Sequence, residues 1–384
     1  MQLQKNYKKN LGVFFSNNTS LDDWSRKGFI NREISYYKKL AYKKKLNIHF
    51  FTYGDKKDLR FSNKAYPIKI IPFYNKIYCP NFTILRSFLN LFLPFFLNEE
   101  IKKIDLIKSN QVWGALVPCL IKFFYNIPFY IRSGWEPTYK PISFDIPRYK
   151  SIFLYVNSLV CYNYADYITV SSKKIHRHIC NKFGIKKKIR IIENFIDLNI
   201  FKPKKTKKIK NQILTVSRAS PQKNIELLIK ALSNTNIFIL HIGSIKEKIK
   251  KKFSFLARKQ RTNIKFLGHI DNDRLPNYYR ASEAFVLCSK IEGNPKSLLE
   301  AMACKCPVIG TNVDGINDII IDGKNGILST LDANNLKQSV LKILKNDKLK
   351  IRISSAAMKL VKKKNSEQNF LNIESKVIKE ISKI

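Results

Sequence analysis

Six short runs of apolar and β-branched residues recur along the second half of the chain, at Ile213–Ser217, Ile237–Gly243, Ile264–Ile270, Ala284–Ser289, Pro307–Asn312 and Gly326–Thr330, with amphipathic helical patterns between them. A run that stays apolar at successive positions suits a strand buried on both faces, and its alternation with helices predicts a parallel sheet covered on both sides. The first half repeats this logic, with strands expected at Gly12–Phe15, Asn47–Tyr53, Ile68–Phe73, Asp105–Ser109, Pro128–Arg132, Tyr167–Val170 and Ile189–Phe195. The pattern therefore predicts an α/β protein of two Rossmann-like domains with a central cleft between them.

A chain of 384 residues suits two domains. Lys202–Lys210 contains Pro203 and six lysines and lacks apolar periodicity, so it reads as a linker. The expected division is a first Rossmann-like domain at residues 1–200, a basic linker at 201–210, a second Rossmann-like domain at 211–348 and a helical tail at 349–384 that can cross back to the first domain. Two strongly apolar stretches, Ile84–Leu97 and Trp113–Ile131, are interrupted by charged, amide or proline residues, and neither forms the roughly 20-residue apolar run of a membrane span.

Composition sharpens the picture in three places. Hydrophobic residues at 45% and aromatics at 12% supply enough material for two cores and exclude a wholly disordered chain. Lys plus Arg exceed Asp plus Glu by 71 to 28, a formal charge of +43, which attracts anionic surfaces, although AT-rich coding also fills solvated positions with lysine. The seven scattered cysteines suit reduced thiols, and neither Cys304 with Cys306 nor His176 with His178 has the company a metal site needs. The basic, polar first eleven residues carry no secretory pattern, so a cytoplasmic location is expected, with possible anchorage limited to the inner membrane surface.

The chemistry concentrates after two strands. Between Ala284–Ser289 and an apolar helical stretch lies Ile291-Glu-Gly-Asn-Pro-Lys-Ser-Leu-Leu-Glu300, in which Asn294 suits an N-cap and Pro295 the first helical position. The free N–H groups of such a helix start, with the dipole's positive end, can hold a diphosphate, and Gly293 allows close approach. Glu292 and Glu300 can flank the ligand; alternatively Glu300 pairs with Lys296 and Glu292 is a solvated loop carboxylate. After Ile213–Ser217, Arg218 offers a bidentate grip on phosphate and Lys223 a mobile charge. Gly315, in the loop after Pro307–Asn312, either approaches phosphate or only turns the chain.

Together with Leu299–Ile309 and Asp322-Gly-Lys-Asn-Gly326, these residues resemble glycosyltransferase family 4, the retaining GT-B enzymes, from Ile213 to Leu344. The resemblance implies metal-independent transfer with retention from a nucleotide-sugar to a saccharide or lipid-linked acceptor, without a cofactor, in cell-surface polysaccharide or lipopolysaccharide synthesis. It assigns the diphosphate to Arg218 and Lys223, and sugar and ribose to Glu292 and Glu300. Further donor contacts are expected at Gly243, Gly293, Asn294, Pro295, Lys296, Ser297 and Gly315. The chain departs from the family at Lys305, Asp314 and Asn317.

The first half is similar to the family's acceptor domain through Leu11–Trp24, Gly28–Leu40 and Tyr164–Ser171. The histidine common after the fifth strand is replaced by Arg132-Ser-Gly-Trp-Glu136. Ser16, Ser20, Trp24, Arg132, Ser133 and Glu136 are expected to face the acceptor or the cleft. The second reading is a basic peripheral-membrane or polyanion-binding protein that uses the same fold without transferase activity. No nucleic-acid module is recognisable, and nucleic acid is not an expected partner.

Overall fold

The computed structural model describes residues 9–80, 82–139, 147–186 and 188–382. It contains two parallel sheets, and each predicted strand is present among the described residues, with ends moved by a few residues. The first sheet is built from β1 (Lys9–Phe14), β2 (Leu46–Thr52), β3 (Lys69–Pro72), β4 (Leu106–Ser109), β5 (Phe129–Ser133), β6 (Tyr167–Val170) and β7 (Ile189–Ile191). Their order is β3-β2-β1-β4-β5-β6-β7. The second is built from β8 (Ile209–Val216), β9 (Phe238–Ile242), β10 (Asn263–Phe266), β11 (Ser282–Leu287), β12 (Val308–Thr311) and β13 (Ile327–Ser329), in the order β10-β9-β8-β11-β12-β13.

The chain divides into two compact units. The first holds β1 to β7, with the described residues of Leu371–Ile384, and the second is Glu193–Phe370. The division falls at Ile192, before the lysine-rich stretch, which is exposed and lies inside the second unit, its last residues already in β8. Proline and lysine signal solvent exposure there, but exposure alone does not mark a domain boundary.

Continuous apolar strands produce the covered sheets. In the second unit Leu214, Phe285 and Leu287 face one core with Leu298 and Met302, while Ile213, Ala284 and Val286 face the other with Leu336 and Val340. In the first unit Phe14 on β1 stacks on Phe51 of β2 with ring centroids 4.4 Å apart, and Ile131, Ile168 and Val170 fill the same core. Helix limits follow local chemistry: Ser172 accepts the Ile175 N–H to start the helix Lys173–Phe183, and Gly184, at φ +64°, ends it.

In both sheets the strand order reverses once, between β1 and β4 and between β8 and β11. Loops leaving the carboxyl ends of parallel strands at such a reversal diverge and leave room for a ligand. In the second unit those loops are the ones that carry Arg218 and Lys223 after β8 and Glu292 to Glu300 after β11.

Candidate active site

The loops after β8, β11 and β12 are stitched together in the second unit. Gln222 and the β11 loop exchange hydrogen bonds: the Lys290 N–H donates to the Gln222 carbonyl at 2.8 Å, and the Gln222 side-chain amide donates to the Ile291 carbonyl at 2.8 Å. This pairing brings Lys223 onto the Glu292 carboxylate as an ion pair, and Ser289 Oγ donates to the same carboxylate oxygen at 2.6 Å. Thr311 at the end of β12 in turn donates to the Ser289 carbonyl at 2.6 Å. Glu292 is therefore a buried, twice-held carboxylate and not a solvated loop residue.

Gly315 completes this arrangement. It sits at φ +82°, and a Cβ there would lie 2.2 Å from the Glu292 carbonyl oxygen, while the Glu292 N–H donates to the Asp314 carbonyl at 2.9 Å. The glycine is required by close approach to the Glu292 backbone. Gly243, after β9, has the same kind of reason: its Cβ would lie 2.0 Å from the Ser217 carbonyl oxygen, directly before Arg218. Arg218 itself is exposed, and no carboxylate lies within ion-pair distance of it among the described residues.

The helix after β11 spans Lys296–Ala303 and starts without a side-chain cap. Pro295 occupies the N-cap position, and the expected cap, Asn294, is directed elsewhere. Its side-chain oxygen accepts the Asn194 N–H at 2.9 Å, and its carbonyl accepts the Asn194 side-chain amide at 2.7 Å. The N–H groups of Ser297 and Leu298 thus have no acceptor among the described residues, which leaves them open to an anion. Lys296 does not pair with Glu300; its ammonium lies 5.7 Å from the Phe195 ring centroid.

Glu300 faces inward from the same helix and is buried. Tyr279 donates to one of its oxygens at 2.9 Å and Asn272 to the other at 3.3 Å. Burial, with the Glu300 charge beside it, holds the Tyr279 phenol well above its ordinary range, so it stays a donor. Each carboxylate oxygen keeps a lone pair for a ligand hydroxyl. Gly293 and Pro295 are buried between these groups, and Ser297 lies half-buried on the first turn.

Most residues named for the first unit have structural employment there. Ser20 caps the helix Leu21–Arg26 in a reciprocal capping box with Asp23, and Trp24 stacks on Phe15 with centroids 4.0 Å apart. Ser16 is half-buried, and its carbonyl accepts the Thr19 N–H at 3.0 Å. Arg132 donates to the Ile192 carbonyl at 3.3 Å. Ser133 accepts from Tyr162 at 2.9 Å. Glu136 is fully buried, bound by Tyr162, Thr138 and Ser158, and burial pushes its carboxyl pKa up. Ser133 and Glu136 are thus inner polar groups whose hydrogen bonds stay within their own domain.

Several residues of the second unit's site were missed from sequence: Ser289, Gln222, Asn194, Tyr279 and Asn272. Ser289 and Gln222 had a usable signal, their place at the end of β11 and in the β8 loop. Tyr279, Asn272 and Asn194 had none, since only packing brings them to Glu300 and Asn294.

Two parallel-sheet units, with an uncapped helix and two basic residues after the strands at the reversal of the second, define an α/β protein of doubly wound type, and comparison with known proteins gives the family. The model of the family Glycosyl transferases group 1 matches residues 197–360, and that of Glycosyltransferase Family 4 matches residues 40–200. The chain belongs to glycosyltransferase family 4, and its two units have the GT-B fold. It is 31% identical over 170 residues to the uncharacterized glycosyltransferase MJ1178 of Methanocaldococcus jannaschii, covering 44% of this chain and 48% of that protein. It is also 31% identical over 250 residues to the O-antigen biosynthesis glycosyltransferase WbnH of Escherichia coli, covering 63% of this chain and 68% of WbnH. The first curated relatives are matched over about half their length. Among solved structures, Anabaena HepE in complex with UDP and glucose superposes with a TM-score of 0.75 at 16% identity, covering 97% of this chain and 99% of HepE.

Proposed function

We propose that the protein transfers a sugar, with retention and without a metal ion, from a nucleotide-sugar to a saccharide or lipid-linked acceptor in cell-surface polysaccharide or lipopolysaccharide synthesis, in contact with an anionic membrane surface. The observation that carries this reading is the convergence of exposed Arg218, the Lys223–Glu292 pair and the uncapped start of Lys296–Ala303 at one strand reversal. The similarity to WbnH, named for O-antigen biosynthesis, supports the pathway class, and UDP bound to HepE supports the donor class.

In this reading Arg218, Lys223 and the helix N–H groups bind the diphosphate, and Glu300 takes ribose hydroxyls. Glu292 orients the donor sugar. The bond from the anomeric carbon to the phosphate oxygen breaks as the acceptor oxygen bonds to that carbon on the same face, and the acceptor's proton passes to the departing phosphate oxygen. The protein supplies charge stabilisation and no nucleophile. A trapped covalent glycosyl-enzyme would overturn that step.

The decisive test is a thermal-shift and hydrolysis screen of UDP-, GDP- and ADP-sugars. One donor class should stabilise the protein and be turned over, and Glu292→Gln or Arg218→Ala should lower kcat/KM by roughly 10²–10³-fold. If no nucleotide-sugar binds or reacts, the reading fails.

A further inference from the structure

The helix Arg148–Tyr164 in the first unit is apolar on two sides. Its inner stripe, Leu154, Ser158, Cys161 and Tyr162, is buried against the domain. Its outer stripe repeats at the same helical spacing but faces solvent: Ile152 is 64% exposed and Phe153 62%, followed one and two turns on by Val156 and Val160. The stripe does not end with the helix. Tyr164 meets Phe123 at 6.5 Å, Phe123 meets Phe124 at 5.1 Å, and Phe124 meets Phe95 at 4.9 Å, all four rings exposed. A second ring pair, Phe88 with Phe92 at 5.4 Å, lies just before Phe95 in the chain and is also exposed.

Single exposed apolar residues are ordinary, but a connected aromatic band over several helices is not, and it marks a surface that something covers. The charges within these segments are all positive. Arg86, Arg148 and Lys150 occur there, together with Lys122, which is paired with Asp166 just beyond the helix Arg148–Tyr164, and no Asp or Glu lies in Thr83–Phe96, Leu116–Tyr125 or Arg148–Tyr164. A second copy of the chain would bring the same cationic face and another +43 against it. An anionic bilayer matches both properties, since rings enter the headgroup boundary while cations meet lipid phosphates. No helix among the described residues is long and apolar enough to cross a membrane, so the contact would be interfacial. The band also adjoins the carboxyl edge of the first sheet, where the Asn90 amide donates to Asn17 in the loop after β1 at 3.4 Å.

We propose that this band, centred on the outer stripe of Arg148–Tyr164 and the rings of Phe123 and Phe124, is the surface that seats the protein on an anionic lipid bilayer. It deepens the membrane contact of the proposed function by naming the surface that makes it, and it rests on that reading for its purpose, which is to bring the acceptor domain to lipid-linked acceptors. The surface is wider than the apolar stretch Ile84–Leu97 and lies mostly on helices outside it.

The test is flotation of the full chain with vesicles of phosphatidylcholine alone or with phosphatidylglycerol added, at low and high salt. Wild type should float with the anionic vesicles, less so at high salt, and hardly with the neutral ones. Ile152→Gln with Phe153→Gln, and separately Phe123→Gln with Phe124→Gln, should each lower the bound fraction about tenfold or more. Arg148→Glu with Lys150→Glu, at solvated positions that keep the test open if an aromatic variant misfolds, should abolish the preference for anionic lipid. Ile351→Gln, an exposed apolar residue of the second unit, should change nothing. The proposal is overturned if wild type does not float, if lipid charge is irrelevant, if the band variants float like wild type, or if sedimentation shows a dimer that those variants dissociate. Nucleotide-sugar hydrolysis without vesicles should survive in the band variants. A protein that floats but hydrolyses no nucleotide-sugar defeats the transferase reading and leaves the docking surface standing.

Discussion

Gly315 has no functional group, yet it positions one. At φ +82° it allows the loop after β12 to lie against the Glu292 backbone, where a methyl group would meet the carbonyl oxygen. Gly315→Ala should cost about 1–3 kcal/mol and displace Glu292, lowering activity more than stability. Gly184, also at positive φ but with nothing near its missing Cβ, is the control, and its alanine variant should cost no more than about 1 kcal/mol. Equal urea midpoints for the two variants would show that close approach is not what selects glycine at 315. His241 carries a pH signature. It is fully buried on β9, and burial holds its pKa down at about 4. Below the ordinary histidine pKa the unfolded chain takes up a proton that the folded chain refuses. Stability is then complete above about pH 6.5 and falls toward pH 4 by on the order of 3 kcal/mol. Urea midpoints at pH 7 and pH 5 should draw together in His241→Phe, and an unchanged gap would count against this origin.

Among the elements, the helix Lys296–Ala303 shows what local pattern can and cannot convey. Its place after β11, its inward Leu298, Leu299 and Met302, and its entry through Pro295 were legible, because helix starts and apolar spacing are local properties. The employment of Asn294 was not legible. A favoured capping residue in the right place lost its cap role to Asn194, which is remote in sequence and offers two hydrogen bonds. Asn294→Ala should therefore cost about 1–3 kcal/mol through Asn194, and Asn194→Ala in that background should add little. Additive costs in that double-mutant cycle would instead mean that the two residues act independently. Ser20 is employed by a local pattern of the same kind: a serine ahead of an acidic residue three positions on forms the capping box of the helix Leu21–Arg26.

At the scale of the whole molecule, a pair far apart in sequence ties the C-terminal helix Glu367–Ile381 to the first sheet. Lys108 on β4 and Glu374 form an ion pair at 2.5 Å, each almost wholly buried, with Tyr130 donating to the same carboxylate at 3.0 Å. The lysine ammonium also lies 4.8 Å from the Tyr37 ring centroid. Breaking such a pair strands a charge, so Glu374→Gln should destabilise by about 3–5 kcal/mol in denaturant titration. Lys108→Met with Glu374→Leu should recover most of that loss, because it removes both desolvation costs. A double variant as unstable as the single one would show that the pair, and not its burial, is what the fold requires.

The amino-acid pattern alone determined two parallel sheets, the position of every strand to within a few residues, and the placing of Arg218 and Lys223 after one strand and of Glu292 and Glu300 after another, because each depends on residues close together in the chain. Tertiary structure alone decided that Lys223 pairs with Glu292, that Tyr279 and Asn272 hold Glu300, that Glu136 belongs to its own domain's interior, and that an aromatic band lies outside. These are choices among partners distant in sequence. A polar side chain can satisfy its hydrogen bonds in several ways, and only packing brings one of them within reach.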